Sequence, residues 1–95
     1  YVGDVSDGVL RLIEHTANGI FHICGDECMT IAEIAYQVAD YMKLDRSLIH
    51  PTTTEEMNES TPRPRFSGMS IDKARTMLGY RPQKLKEILA NWDKL

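Results

Sequence analysis

The chain has 95 residues, a formal net charge of -3, 42% hydrophobic and 26% charged residues. That allows one small domain, burying only about 60–65% of the surface its unfolded form exposes, and excludes disordered and fibrous classes. The acidic balance argues against nucleic acid, which needs a basic face to displace counterions. No apolar run approaches the ~20 residues that span a bilayer, so no membrane partner is expected.

Tyr1-Val2 reads as a strand end or an extended arm. Asp4 is a plausible N-cap for a helix in which Val5, Val9, Leu10, Leu12 and Ile13 form the apolar face and Asp7, Arg11 and Glu14 face water. Asn18-Gly19 is expected to end it. Ile20, Phe21, Ile23 and Cys24 then form a β-prone run between Gly19 and Gly25-Asp26, predicting a strand. Thr30 and Glu33 have the capping-box spacing. From there Ile31, Ile34, Ala35, Val38, Tyr41 and Met42 give one apolar helical stripe ending near Met42, which must cover the strand.

Lys43 to Ser47 is a polar connector, and Leu48-Ile49-His50 reads as a second short strand before Pro51. Strand, helix, strand predicts a parallel βαβ unit with a right-handed crossover. Thr52 to Glu56 predicts one threonine-capped helical turn. Asn58 to Ser70 has no period, and Pro62 and Pro64 make it an extended loop. Ser70 caps a helix over Ile71 to Leu78, which Gly79 and Pro82 stop, and Leu85, Ile88, Leu89 and Trp92 mark a last amphipathic helix. The fold class is α/β (α+β): a small parallel two-stranded βαβ core flanked by about four helices.

Several residues could carry chemistry. His22, Cys24 and Cys28 lie within seven residues, but structural zinc wants four ligands in paired short spacings and the strand puts Cys24 in the core. Two cysteines make no disulfide framework and read as reduced thiols. Cys28 sits before a helix start without a basic partner, so an inert turn thiol is favoured over a nucleophile. Tyr80 and Lys84 have a Tyr-x-x-x-Lys spacing, yet Gly79 and Pro82 deny them the continuous helix that would align them. No Gly-x-Gly-x-x-Gly run is present to cradle a dinucleotide phosphate. His15, His22 and His50 are isolated, and surface or satisfied positions suit each.

Arg63 and Arg65 remain as the candidate binding residues. Two guanidinium forks on a loop braced by prolines suit the oxygens of a nucleotide pyrophosphate. The competing reading pairs them with Glu55, Glu56 or Glu59.

The order of the stretches YVGDVSDGVLRLIE, GIFHICGDECMTIAEIAYQVADYM and TPRPRFSGMSIDKARTMLGYRPQKLKEIL resembles the carboxy-terminal third of extended short-chain dehydrogenase/reductases. Arg63-Pro64 followed by Ser67, Met69 and Lys73 is most similar to the dTDP-4-dehydrorhamnose reductase branch, which includes regulatory β subunits of methionine adenosyltransferase. Leu78-Gly79-Tyr80-Arg81-Pro82 is also similar to general NAD-dependent sugar epimerases and dehydratases. The resemblance implies that residues 1–95 are the substrate-binding lobe of a larger Rossmann-type protein whose amino-terminal Rossmann domain is absent here, in keeping with a chain that opens on Tyr1 in mid-pattern. It implies a dTDP-sugar as the parent's partner, with Arg63 the position that fits the family's nucleotide contact and Arg65 the lesser candidate. It implies NADP or NAD in the parent, with no cofactor and no reductase activity expected of this piece. Independently of the resemblance, a chain with neither a membrane-spanning run nor a signal segment is expected to have a cytoplasmic address. An epimerase or dehydratase lobe and a non-catalytic regulatory module are the alternative readings. A lobe cut from its parent would also expose apolar surface and tend to self-associate.

Overall fold

The computed structural model describes residues 1–94. Four helices carry the fold, α1 (Val2–Glu14), α2 (Ile31–Met42), α3 (Asp72–Leu78) and α4 (Leu85–Ala90), with short 3-10 turns at Arg46–Leu48 and Trp92–Lys94. The chain divides into two compact units, one joining Tyr1–Cys28 to the chain from Gly68 onward and the other formed by Met29–Ser67. No β-ladder occurs among the described residues.

That overturns the expected βαβ core. Ile20 to Cys24 does run without helix, but a strand exists only with a paired neighbour, and side chains take its carbonyls instead. Lys73 Nζ donates to Ile20 O at 2.9 Å, and Tyr80 Oη donates to Cys24 O at 3.0 Å. The second expected strand fails for a local reason. The Asp45 carboxylate accepts from the Ser47 amide at 2.9 Å and the Ser47 hydroxyl at 2.7 Å, which winds Arg46–Leu48 into a 3-10 turn.

In the first unit the buried core is Ile71, Ala74, Leu78 and Tyr80, with Leu12, Ala17, Phe21, Ile23 and Cys24 packed against it. Helix α1 begins at Val2, earlier than expected, with the amides of Asp4 and Val5 donating to Tyr1 O. Asp4 is therefore no cap. Its carboxylate accepts from the Gln83 amide at 3.0 Å and the Gln83 side chain at 3.2 Å, tying the first turn of α1 to the chain before α4. The helix stops at Glu14, short of Asn18-Gly19, as Thr16 takes a φ of 45° and the Ala17 amide reaches back to Leu12 O.

The inner face of α1 also differs from the expected one. Gly8 is its buried residue, while Val9, Leu10 and Ile13 are exposed. Arg11 pairs with Asp7 at 2.8 Å and reaches across to Leu78 O at 3.0 Å, so it is a bridge rather than a purely solvated charge. Helix α3 ends where its sequence predicts but starts one residue later, with Ile71 rather than Ser70 at the cap position. Ser70 Oγ accepts from the Asp72 amide at 3.3 Å, and Gly79 (φ 66°) ends it in the left-handed conformation. Helix α4 buries Leu89, whereas Trp92, expected to extend it, lies exposed in the closing 3-10 turn.

In the second unit the capping box forms as predicted. Thr30 Oγ1 accepts from the Glu33 amide at 3.1 Å and Glu33 Oε2 from the Thr30 amide at 2.8 Å, so two of the free donors at the start of α2 are satisfied. Lys43, left-handed at φ 56°, ends the helix after Met42. The buried stripe is rotated from the expected one. Ala39 is buried and Ala32, Ala35, Tyr36 and Val38 are partly so, whereas Ile31 is 86% exposed and Ile34, Tyr41 and Met42 also face outward. Small residues let α2 lie close to the Arg46–Leu48 turn, and the Arg46 guanidinium stacks 4.5 Å from the Tyr36 ring centre. The predicted turn near Thr52 is present, with Thr53 Oγ1 accepting from the Glu56 amide at 3.2 Å.

Candidate functional site

Each unit presents a group of charged side chains that bears on function. In the second unit Pro62 and Pro64 leave residues 62–64 irregular, and the chain bends at Arg65. Arg63 is exposed, with its Nε 4.0 Å from Glu59 Oε2. At that distance, between exposed groups, the pair is worth only about 0.5 kcal/mol and holds no fixed geometry. Among the described residues Arg65 forms no ion pair, so two solvated guanidiniums stand two residues apart. Neither pairs with Glu55 or Glu56. The Thr52 hydroxyl donates to Glu56 Oε2 and the Thr54 hydroxyl to Glu55 Oε2 instead.

In the first unit Asp26 is the centre of a cluster that sequence spacing did not reveal. Its carboxylate, about 20% exposed, accepts from Lys84 Nζ at 2.8 Å and from Arg75 Nη2 at 3.1 Å. Arg75 is also 3.5 Å from Asp72. Next to Asp26, Glu27 Oε1 accepts from the Leu85 amide at 2.6 Å, which anchors the start of α4. Asp26, Arg75, Arg81 and Pro82 line an open cleft of about 300 Å³. Because each oxygen of Asp26 is already engaged, the cluster reads as a clamp joining the 20–28 segment to α3 and α4.

The clamp sets a pH window. The Lys84 hydrogen bond, aided by the charges of Lys84 and Arg75, holds the Asp26 carboxyl below the usual carboxylate range, and the same hydrogen bond raises Lys84 above the usual lysine range. A depressed carboxylate stabilises the fold above its unfolded pKa of about 4 and loses that contribution as pH falls through the folded value. A raised lysine contributes fully below its unfolded pKa of about 10.4 and less as pH climbs through the folded one. Melting temperature is therefore expected to be flat between those limits and to fall on both sides. In Asp26→Asn the acid-side and alkaline-side losses should both shrink. An unchanged pH profile in that variant would show that the clamp adds nothing to stability.

Tyr80 and Lys84 do not act as a pair. Tyr80 is 1% exposed, burial pushes its phenol pKa up, and its hydroxyl is given to Cys24 O, while Lys84 turns to Asp26. A catalytic tyrosine needs the opposite shift and an open hydroxyl. Cys24 packs against the core and Cys28 is exposed. Among the described residues no three His, Cys, Asp or Glu side chains gather as a metal site, and His22 lies with Nδ1 3.1 Å from Met69 Sδ. The start of α2 is closed by Glu33, whose charge opposes a pyrophosphate. That helix start therefore offers no phosphate cradle of the dinucleotide-binding kind. Among the described residues no helix is long and apolar enough to cross a membrane.

Comparison with known proteins bears on the whole chain. The family model described as RmlD substrate binding domain matches residues 1–93. UDP-glucuronic acid decarboxylase 3 of Arabidopsis thaliana is 36% identical over 89 residues, covering 92% of this chain and 24% of the relative. The spore coat polysaccharide biosynthesis protein SpsK of Bacillus subtilis (strain 168) is 29% identical over 92 residues, covering 97% of this chain and 31% of that protein. The chain thus spans about a quarter to a third of the length of the curated relatives it matches. No solved structure gives a significant match. With the family model covering all but the last two residues, the chain belongs to the RmlD substrate-binding domain family, within the extended short-chain dehydrogenase/reductases.

Proposed function

We propose that the chain is the lobe that holds the nucleotide sugar in a sugar-nucleotide-modifying dehydrogenase/reductase, with Arg63 as a phosphate contact and Arg65 as the second guanidinium. The observation that carries this is the pair of solvated guanidiniums on the proline-braced loop, in a chain of a substrate-binding family. Charge-assisted hydrogen bonds to phosphate are directional and strong, and Glu59 offers too weak a competitor at 4.0 Å to hold Arg63 back. The finer reading is a dTDP-4-dehydrorhamnose reductase-type parent using NADP or NAD, whose cofactor and catalytic groups are assigned outside these residues. A second reading, a UDP-sugar lobe of the decarboxylase or epimerase type, is favoured by the 36% identity to UDP-glucuronic acid decarboxylase 3.

Titration calorimetry with a dTDP-sugar and with UDP-glucuronic acid tests both readings. Arg63→Ala is expected to weaken binding at least tenfold, since a hydrogen bond to a charged group is worth about 1.5–3 kcal/mol. The tighter ligand identifies the branch. Binding that is indifferent to Arg63→Ala and Arg65→Ala would remove the phosphate assignment, and a chain that binds neither ligand but forms a stable complex with another enzyme would point to a regulatory module.

A further inference from the structure

Phe66 follows Arg65 directly and is 71% exposed, more than any other aromatic ring among the described residues. The other aromatic side chains of intermediate or full burial have partners. Lys73 Nζ sits 4.4 Å from the Phe21 ring centre, Arg46 covers Tyr36, and Tyr80 is enclosed. Phe66 has no such cover, and it stands on a loop stiffened by Pro62 and Pro64 at a place where the chain bends. The chain bends at Arg65, so Phe66 and the two guanidiniums are neighbours on one exposed, non-helical loop.

From Arg63 to Phe66 the backbone extends at most about 10 Å, the reach of three residues, comparable with a nucleoside diphosphate from its base to its terminal phosphate. A flat apolar ring beside two guanidiniums matches that ligand in both chemistry and order. We infer that Phe66 is the surface on which the nucleobase stacks while Arg65 and Arg63 take the diphosphate. The inference rests on the proposed nucleotide-sugar reading and adds to it the residue that reads the base. Stacking on a bare ring tolerates either pyrimidine, so Phe66 supplies affinity for the base and leaves the choice of sugar to other groups.

The test compares UDP-glucuronic acid, UDP and inorganic pyrophosphate as ligands for the full chain. Phe66→Ala is expected to weaken UDP and UDP-glucuronic acid about tenfold and to leave pyrophosphate unchanged, while Phe66→Tyr keeps wild-type affinity for all three. Arg63→Ala should weaken all three. If Phe66→Ala leaves the ratio of UDP to pyrophosphate affinity unchanged while Arg63→Ala still weakens both, the stacking role fails and the phosphate reading stands. Should neither variant alter binding, both fail together. A Phe66→Ala chain with a lowered melting temperature and equal losses for UDP and pyrophosphate would mark the ring as a packing residue and overturn the inference.

Discussion

Tyr80→Ala is expected to destabilise the chain by about 3–5 kcal/mol, the cost of removing a large aromatic ring from a closed core. Tyr80 lies at the junction of three segments. Its ring is near Gly8 of α1, it follows the left-handed Gly79 that ends α3, and its hydroxyl donates to Cys24 O of the extended segment. That hydrogen bond is separable from the packing. In Tyr80→Phe the ring volume stays and only the bond to the Cys24 carbonyl is lost, so a cost of about 1 kcal/mol is expected. Urea unfolding of both variants measures the two parts. If Tyr80→Ala costs no more than Tyr80→Phe, the ring is not a core residue and the packing described for the first unit is wrong. For a domain whose total stability is only about 5–15 kcal/mol, the alanine variant should be close to unfolding at physiological temperature.

What the sequence made legible, and what it did not, divides by range of interaction. Thr30 with Glu33 and Gly79 are local devices that act over a few residues, and the structure has both in the expected place, while Ser70 accepts from the Asp72 amide one residue ahead of the cap position that Ile71 takes. The strand expectation rested on Ile20, Phe21 and Ile23, whose β preference reports a half-buried extended backbone. That much is present, but a ladder requires a distant neighbour that no local preference can supply. The α2 stripe misled for a related reason. Ile31, Ile34, Tyr41 and Met42 are the larger apolar residues, yet the close-packed side uses Ala39 and Ala35. Periodicity fixes that a helix has faces, and packing decides which of two adjacent faces turns inward.

The charged groups follow the same division. Arg63 and Arg65 stood out as positive charge gathered on a proline-braced loop, and the structure leaves both exposed, with Glu59 4.0 Å from Arg63. The Asp26 clamp joins residues 49 and 58 positions apart, and Gly25-Asp26 had the appearance of an ordinary turn. Tyr80 and Lys84 show the converse. Their spacing imitates a catalytic pair, while burial and Asp26 give each side chain a separate structural role.

Gly8→Val is expected to cost about 2–3 kcal/mol, in spite of the improvement in helix propensity that any residue other than proline brings over glycine. Gly8 lies in the interior of α1 and is its buried residue. A Cβ placed there would sit 2.6 Å from Ile23 Cγ2 and 3.3 Å from Tyr80 Cε1. Ile23 Cγ2 is a branch methyl fixed next to the backbone, so it cannot swing aside as the tip of a long side chain would. Relief requires α1 to move away from the 20–24 segment, opening the seam that Tyr80 fills. In Gly8→Ala the propensity gain of about 0.8–1.0 kcal/mol offsets part of an overpacking cost of about 1–3 kcal/mol, leaving a smaller net loss. The order wild type, alanine, valine in urea midpoints is therefore the signature of a close approach. A Gly8→Ala variant more stable than wild type by the full propensity gain would mean that α1 and the extended segment are not in contact at this point. Since Gly8 and Tyr80 meet at the same seam, Gly8→Val combined with Tyr80→Phe should depart from additivity, whereas Gly8→Val with Arg63→Ala should not.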